Sequence, residues 1–333
     1  MKKIVAGAAI ALLLVSGCSL FKADPQAAVS SAVAKLSEVK KMSSKLSVKG
    51  EVSAPQGQKP AKIKFTLDAS GKSDVSVQNS PKVDMILKID GSADEKNGST
   101  ALTFRVLEKK FFFNMSDVAL SVDTGKNLKA DLVQFLGKWW TLPLGADSSL
   151  NKLTDQQKQV QELFKNTKFF TNAAEQGPDE INGIKATKYR VDLDKVALKN
   201  FIIEASKITD PNNPMTPADL KDLEDSMKEI EFSGALSVGD DGNLHRVQGT
   251  VTVQPAAGPA STFDIDFSAW DYGTDVAVAA PEGAQDFNPI VALPLFGALD
   301  KFSTPDAATA VPEDTAGVTA PAAKTKTPAP ATK

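Results

Sequence analysis

The stretch KVDMILKIDGSADEKNGSTALTFRVLEKKFFFNM, residues 82–115, decides the fold class. Val83, Met85, Leu87 and Ile89 occupy alternate positions, and so do Leu102, Phe104 and Val106, then Phe111, Phe113 and Met115. Strict alternation marks strands with one face buried and the other wet. The pattern continues outward. Upstream lie Leu46, Val48 and Val52, then Ile63, Phe65 and Leu67, then Val75 and Val77; just downstream lie Val118, Leu120 and Val122. Late in the chain come Phe232, Leu236 and Val238, then Val247, Val251 and Val253, then Phe263, Ile265 and Phe267. Asp240-Asp241-Gly242-Asn243 separates two of these runs as a hairpin turn would. The expectation is a single, mostly antiparallel sheet of about ten to twelve strands.

Helices are few. Asp24 and Pro25 read as N-cap and first turn before the stripe Val29, Val33, Leu36. A short helix is expected at Lys126–Leu136, and Thr154 with Gln157 resembles a capping box before Val160, Leu163 and Phe164. Residues 194–207 put Leu198, Phe201, Ile202 and Ala205 on one face, and Thr216-Pro217 opens a further helix carrying Leu220, Leu223 and Met227. The fold class is therefore α+β.

The two ends differ from this body. Lys2 and Lys3 precede an apolar run from Ile4 to Val15, too short for a membrane span of about 20 residues. Val15-Ser16-Gly17-Cys18 resembles a bacterial lipobox, in which Cys18 is acylated and becomes residue one after cleavage. Two or three acyl chains hold a protein stably where one does not. Residues 1–17 are then a lipoprotein signal peptide and 18–26 a lipidated tether. From Thr304 the chain is Ala-, Thr- and Pro-rich with no apolar side chain larger than Val, so 304–333 is expected to be a disordered tail. Residues 27–303 form one domain, since no linker interrupts residues 40–300.

Composition narrows the chemistry. The net charge of −3 and only three arginines (Arg105, Arg190, Arg246) argue against a nucleic-acid partner. One Cys and one His leave little for a disulfide framework, a zinc site or a His-based triad. No phosphate loop, nucleophile elbow or zinc-protease motif is present. His245, beside the acidic turn, reads as a solvated side chain. Asp264 and Asp266 share a strand face opposite Phe263, Ile265 and Phe267, so they belong to the wet side. The expectation is a non-enzyme without metal or cofactor.

What the chain has in excess is aromatic: seventeen Phe against two Tyr, with Phe111-Phe112-Phe113 and Trp139-Trp140 as runs. Adjacent strand residues face opposite sides, so Phe112 and one of the two Trp should point away from the main apolar row. A second apolar surface either packs under helices or lines a cavity.

The lipobox, the helix Ala27–Lys41, Met42 to Gly50, Gly137-Lys138-Trp139-Trp140, Gly177 to Gly183, Ala186 to Val191 and Val238 to Val247 occur in an order that resembles the mycobacterial LppX/LprG-type lipoproteins and their LolA/LolB-like relatives, over about residues 27–285. That resemblance implies a curved half-barrel sheet with helices on its concave side, enclosing a hydrophobic cavity for acyl chains, and no catalytic residue. The candidates to line it are Leu46, Val48, Phe65, Leu67, Met85, Leu87, Phe104, Phe111, Phe113, Trp139 and Trp140. Leu295 and Phe296, within the apolar stretch 287–302, are candidates for a lid. The implied function is a monomeric lipoprotein on the extracytoplasmic face of the cell membrane or outer membrane. It would bind acyl chains of lipids or lipoproteins and carry them within the envelope. The competing reading is an anchored envelope scaffold with a solid core.

Overall fold

The computed structural model describes residues 24–56, 59–77, 80–93, 96–120, 133, 135–144, 155–255 and 258–287. Cys18, Thr154, Leu295, Phe296, the signal peptide, most of Lys126–Leu136 and the tail lie outside them.

Twelve strands form one sheet: β1 Lys41–Gln56, β2 Lys59–Asp74, β3 Lys82–Ala93, β4 Lys96–Leu107, β5 Lys110–Leu120, β6 Trp139–Pro143, β7 Phe170–Ile181, β8 Ile184–Leu193, β9 Ile230–Gly239, β10 Leu244–Val253, β11 Ser261–Trp270 and β12 Gln285–Asp286. Their spatial order is β12-β6-β5-β4-β3-β2-β1-β11-β10-β9-β8-β7. The sheet is open, with β12 and β7 as its edges. All pairings are antiparallel except the two-residue contact of β12 with β6. Two meanders, β1–β6 and β7–β11, join where β1 pairs with β11.

Four helices are described: α1 Pro25–Leu36, α2 Asp155–Asn166, α3 Lys195–Thr209 and α4 Pro217–Glu229. Their starts follow the capping chemistry in the sequence. The Asp24 carboxylate accepts from Gln26 N–H ahead of Pro25, and Asp194 accepts from Ala197 N–H ahead of α3. Thr216 and Asp219 form a reciprocal capping box at α4. Helix α1 lies on β7, β9 and β10, and α4 touches β9. The helices thus cover the β7–β10 half.

Under them sits the core. Val29, Ala32 and Val33 of α1 pack on Tyr189, Val191, Leu236, Val238 and Leu244, all at most 8 % exposed. Phe164 of α2, Phe169 and Phe201 of α3 close the edge, with ring centroids 5.0–6.2 Å apart. Glycines let rings lie flat on the strands. A Cβ on Gly234 or Gly249 would stand 2.3 or 2.6 Å from the Phe232 ring.

Two expectations need correction, and one strand went unread. Val75 and Val77 are not strand residues; β2 ends at Asp74, whose carboxylate accepts from Ser76 N–H and Oγ and turns the chain, leaving both valines exposed. His245 is not solvated but 1 % exposed, with Nδ1 2.8 Å from the Ala269 carbonyl, Nε2 3.1 Å from Asp241 and the Tyr272 ring beside it. Strand β7, polar and without alternation, had no periodic signal. It is an edge strand with two register shifts.

Candidate functional site

Register makes the apolar face continuous. Tyr189, Leu236, Val247, Phe267, Leu46, Ala69, Leu87, Leu102 and Met115 stand opposite one another in turn, from β8 to β5. A second row runs Met85, Phe104, Phe113, Trp140 across β3–β6. Burial changes along the first row. Tyr189 and Leu236 are buried beneath the helices, whereas Leu46, Leu87, Leu102 and Met115 are half-buried.

The structure therefore brings ten candidates onto one face: Leu46, Val48, Phe65, Leu67, Met85, Leu87, Phe104, Phe111, Phe113 and Trp140. Each is half-buried. Trp139 points to the other side, as its neighbour's position requires; the Arg105 guanidinium lies 4.9 Å from its ring centroid. Aromatic contacts thicken the β4–β6 end. Phe104, Phe111 and Phe113 stack at 5.8 and 6.0 Å, and Phe287 meets Phe113 edge-on at 5.1 Å. Phe135 and Trp140 join them at 5.4 Å, and the indole N–H donates to the Phe135 carbonyl. Phe135 and Phe287 were not among the candidates, because each lies outside any alternating run and reaches the row only through the folded chain. At Gly50 a Cβ would meet the Phe65 ring at 2.3 Å, so glycine here lets Phe65 lie across β1.

The opposite face is polar. Arg246 forks onto Asp266 (Nε 3.0 Å, Nη2 2.6 Å), Gln248 donates to the same carboxylate, and Thr250 donates to Asp264. The Arg246 hydrogen bonds hold the Asp266 carboxyl below its usual range, outweighing the opposing effect of burial. These two acids are thus occupied in structural pairs. Two open hollows lie on this face. One, of about 670 Å³, is lined by residues such as Lys45, Arg246 and Asp264; the other, of about 610 Å³, by Lys64, Thr66 and Asp90. Phe112 is buried on the polar side, beside Thr141, whose buried Oγ1 has no hydrogen-bond partner.

Among the described residues, no group of three His, Cys, Asp or Glu is placed to hold a metal ion, and no helix is long and apolar enough to cross a membrane. What the arrangement can do chemically is bury apolar matter. Six strands at about 4.8 Å spacing give a surface about 24 Å across, ringed by no charged side chain in its two apolar rows.

No family model and no curated protein matches the chain. Among solved structures it is similar to LprF from Mycobacterium bovis, with 13 % identity, 78 % of this chain and 99 % of that chain covered, and a TM-score of 0.35. It is also similar to the lipoprotein LppX of Mycobacterium tuberculosis (13 %, 77 % and 98 %, TM-score 0.28) and to the LolA superfamily protein NE2245 from Nitrosomonas europaea (9 %, 77 % and 96 %, TM-score 0.16).

Proposed function

We propose that this chain is an envelope lipoprotein, acylated at Cys18, that binds the acyl chains of a lipid or acylated molecule on the apolar face of β1–β6 and carries them within the envelope. One observation carries the reading. The apolar row that is fully buried under helices at β8 and β9 continues across β1–β5 with the same side-chain chemistry but only partly buried. Each methylene transferred from water onto such a surface contributes about 0.8 kcal/mol. A partly open row of this length favours a ligand face over a solid-core scaffold. Catalysis plays no part in the reading: Asp266 is held by Arg246, Asp264 accepts from the Thr250 hydroxyl, and the histidine is packed inside.

Native mass spectrometry of the Cys18→Ser protein, purified from a membrane-containing host, tests this. The expected result is a population carrying lipid-sized adducts that Phe104→Asp removes while the fold, followed by circular dichroism, persists. A lipid-free spectrum for the parent chain rejects the reading in favour of the scaffold.

A further inference from the structure

The two ends of the strands are not equivalent. Helix α1 starts beside Phe170, where the Gln26 side-chain amide donates to the Phe170 carbonyl (2.7 Å) and accepts from Ala173 N–H (3.2 Å). It ends at the opposite end of the sheet, where Lys35 Nζ lies 3.5 Å from the Asp241 carbonyl. Strand β1 then runs back, so its last residues return to the end where α1 began. There β1 outruns its neighbours. Its pairing with β11 stops at Glu51–Thr262, and that of β2 with β3 stops at Ile63–Ala93. Beyond these points, among the described residues, Ser53–Gln56 and Lys59–Lys62 pair only with each other, Ala54 opposite Ala61 and Pro55 opposite Pro60. Four residue steps make a ribbon projecting about 13 Å. A two-stranded ribbon alone is marginal in water and calls for a surface to lie on.

The position of the tether says which surface. Five residues separate Cys18 from Asp24, so an acyl anchor sits within about 20 Å of the start of α1. We propose that the β1–β2 ribbon is a foot that stands on the lipid bilayer, with the short β10–β11 connection beside it. That connection, Gln254 to Ala260, contains no charged residue, and its Gly258, Pro259 and Ala260 are exposed. The inference rests on acylation of Cys18. Its consequence for binding is directional: the apolar face reaches the membrane at the end bearing Val52, Ile63 and Phe65.

The acylated full chain in liposomes provides the test. Cys18 is the only cysteine, and acylation closes its sulfur in a thioether, so an introduced cysteine is the only free thiol. Fluorophores at Gln56→Cys and Ala260→Cys would be compared with fluorophores at Ser80→Cys and Asp240→Cys, which lie at the other end of the strands. Lipids carrying a nitroxide at headgroup depth should quench the first pair at least threefold more strongly than the second. Equal or reversed quenching overturns the foot. Disulfide-linked Gln56→Cys dimers without quenching overturn it too, by assigning the ribbon to a second copy. Protein that does not float with the liposomes overturns the acylation on which the inference rests.

Discussion

Leu236 and Leu87 belong to the same cross-strand row, yet one is fully buried and the other only partly so. The difference is not in the strands. Both halves of the sheet alternate, pair in register and present aliphatic and aromatic side chains to one side. It lies in what the chain supplies above them. Over β7–β10 it supplies α1, capped at Asp24 and presenting Val29, Ala32 and Val33, with α2–α4 around it. Over β1–β6 the described helices make no comparable contact. One half is therefore a core that stabilises the fold, and the other is an apolar face left partly open.

The comparison can be broken by substitution. Leu236→Ala should be the most damaging single change, costing roughly 2–5 kcal/mol, because the packed site collapses only partly. A urea titration reads it as a lowered midpoint with an unchanged slope. Leu87→Ala, with the same atoms removed from the half-covered side, should cost about 1 kcal/mol and no more, while reducing lipid adducts. Equal losses at the two leucines would show that the wing is as solid as the core.

A smaller effect sharpens the electrostatic side. The Arg246 guanidinium keeps the folded-state Asp266 pKa below its unfolded value of about 3.9. The sign follows from linkage: the stabilisation is present above the unfolded value and is lost as pH falls through the folded one. Asp266 is 40 % exposed, so screening holds the contribution to about 1 kcal/mol or less. Asp266→Asn should therefore flatten the loss of thermal midpoint between pH 5 and the acid limit, without altering lipid content. The smallest expected effect is that of removing residues 304–333. Stability should stay within about 0.5 kcal/mol, measured as the urea midpoint of the shortened chain. Anchoring is read separately: Cys18→Ser should abolish incorporation of a fatty-acid probe, and unchanged labelling would refute the lipobox.

Legibility followed the physics of each element. Strands β3, β4, β5, β10 and β11 were readable because one wet face and one apolar face impose a period of two. Helices α1 and α4 were readable because an N-cap must be a short side chain with an acceptor, and Asp24 and Thr216 are; α3 was readable from the apolar face of Leu198, Phe201, Ile202 and Ala205. Strand β7 was not, since an edge strand with a polar composition carries no alternation. His245 was misjudged because its burial is supplied by Ala269, Tyr272 and Asp241, of which only Asp241 is near it in sequence. The candidate apolar residues were legible as a row, and the split of Trp139 from Trp140 followed from strand geometry alone. Phe135 and Phe287 were not legible, since their membership depends on loops returning to the sheet.

The sequence by itself determined local and periodic things: where the alternating strands run, where Asp24 and Thr216 start helices, which face of those strands is apolar, and that the only cysteine ends a stretch resembling a lipobox. These need no information beyond a few neighbouring residues. Only the tertiary structure decided the strand order, with β11 closing onto β1, because pairing partners more than two hundred residues apart leave no mark on the local pattern. It also decided that the described helices cover the β7–β10 half of the apolar face and make no comparable contact over β1–β6. Coverage is a property of where a helix docks, and the same alternating pattern serves a strand beneath a helix and one left partly open.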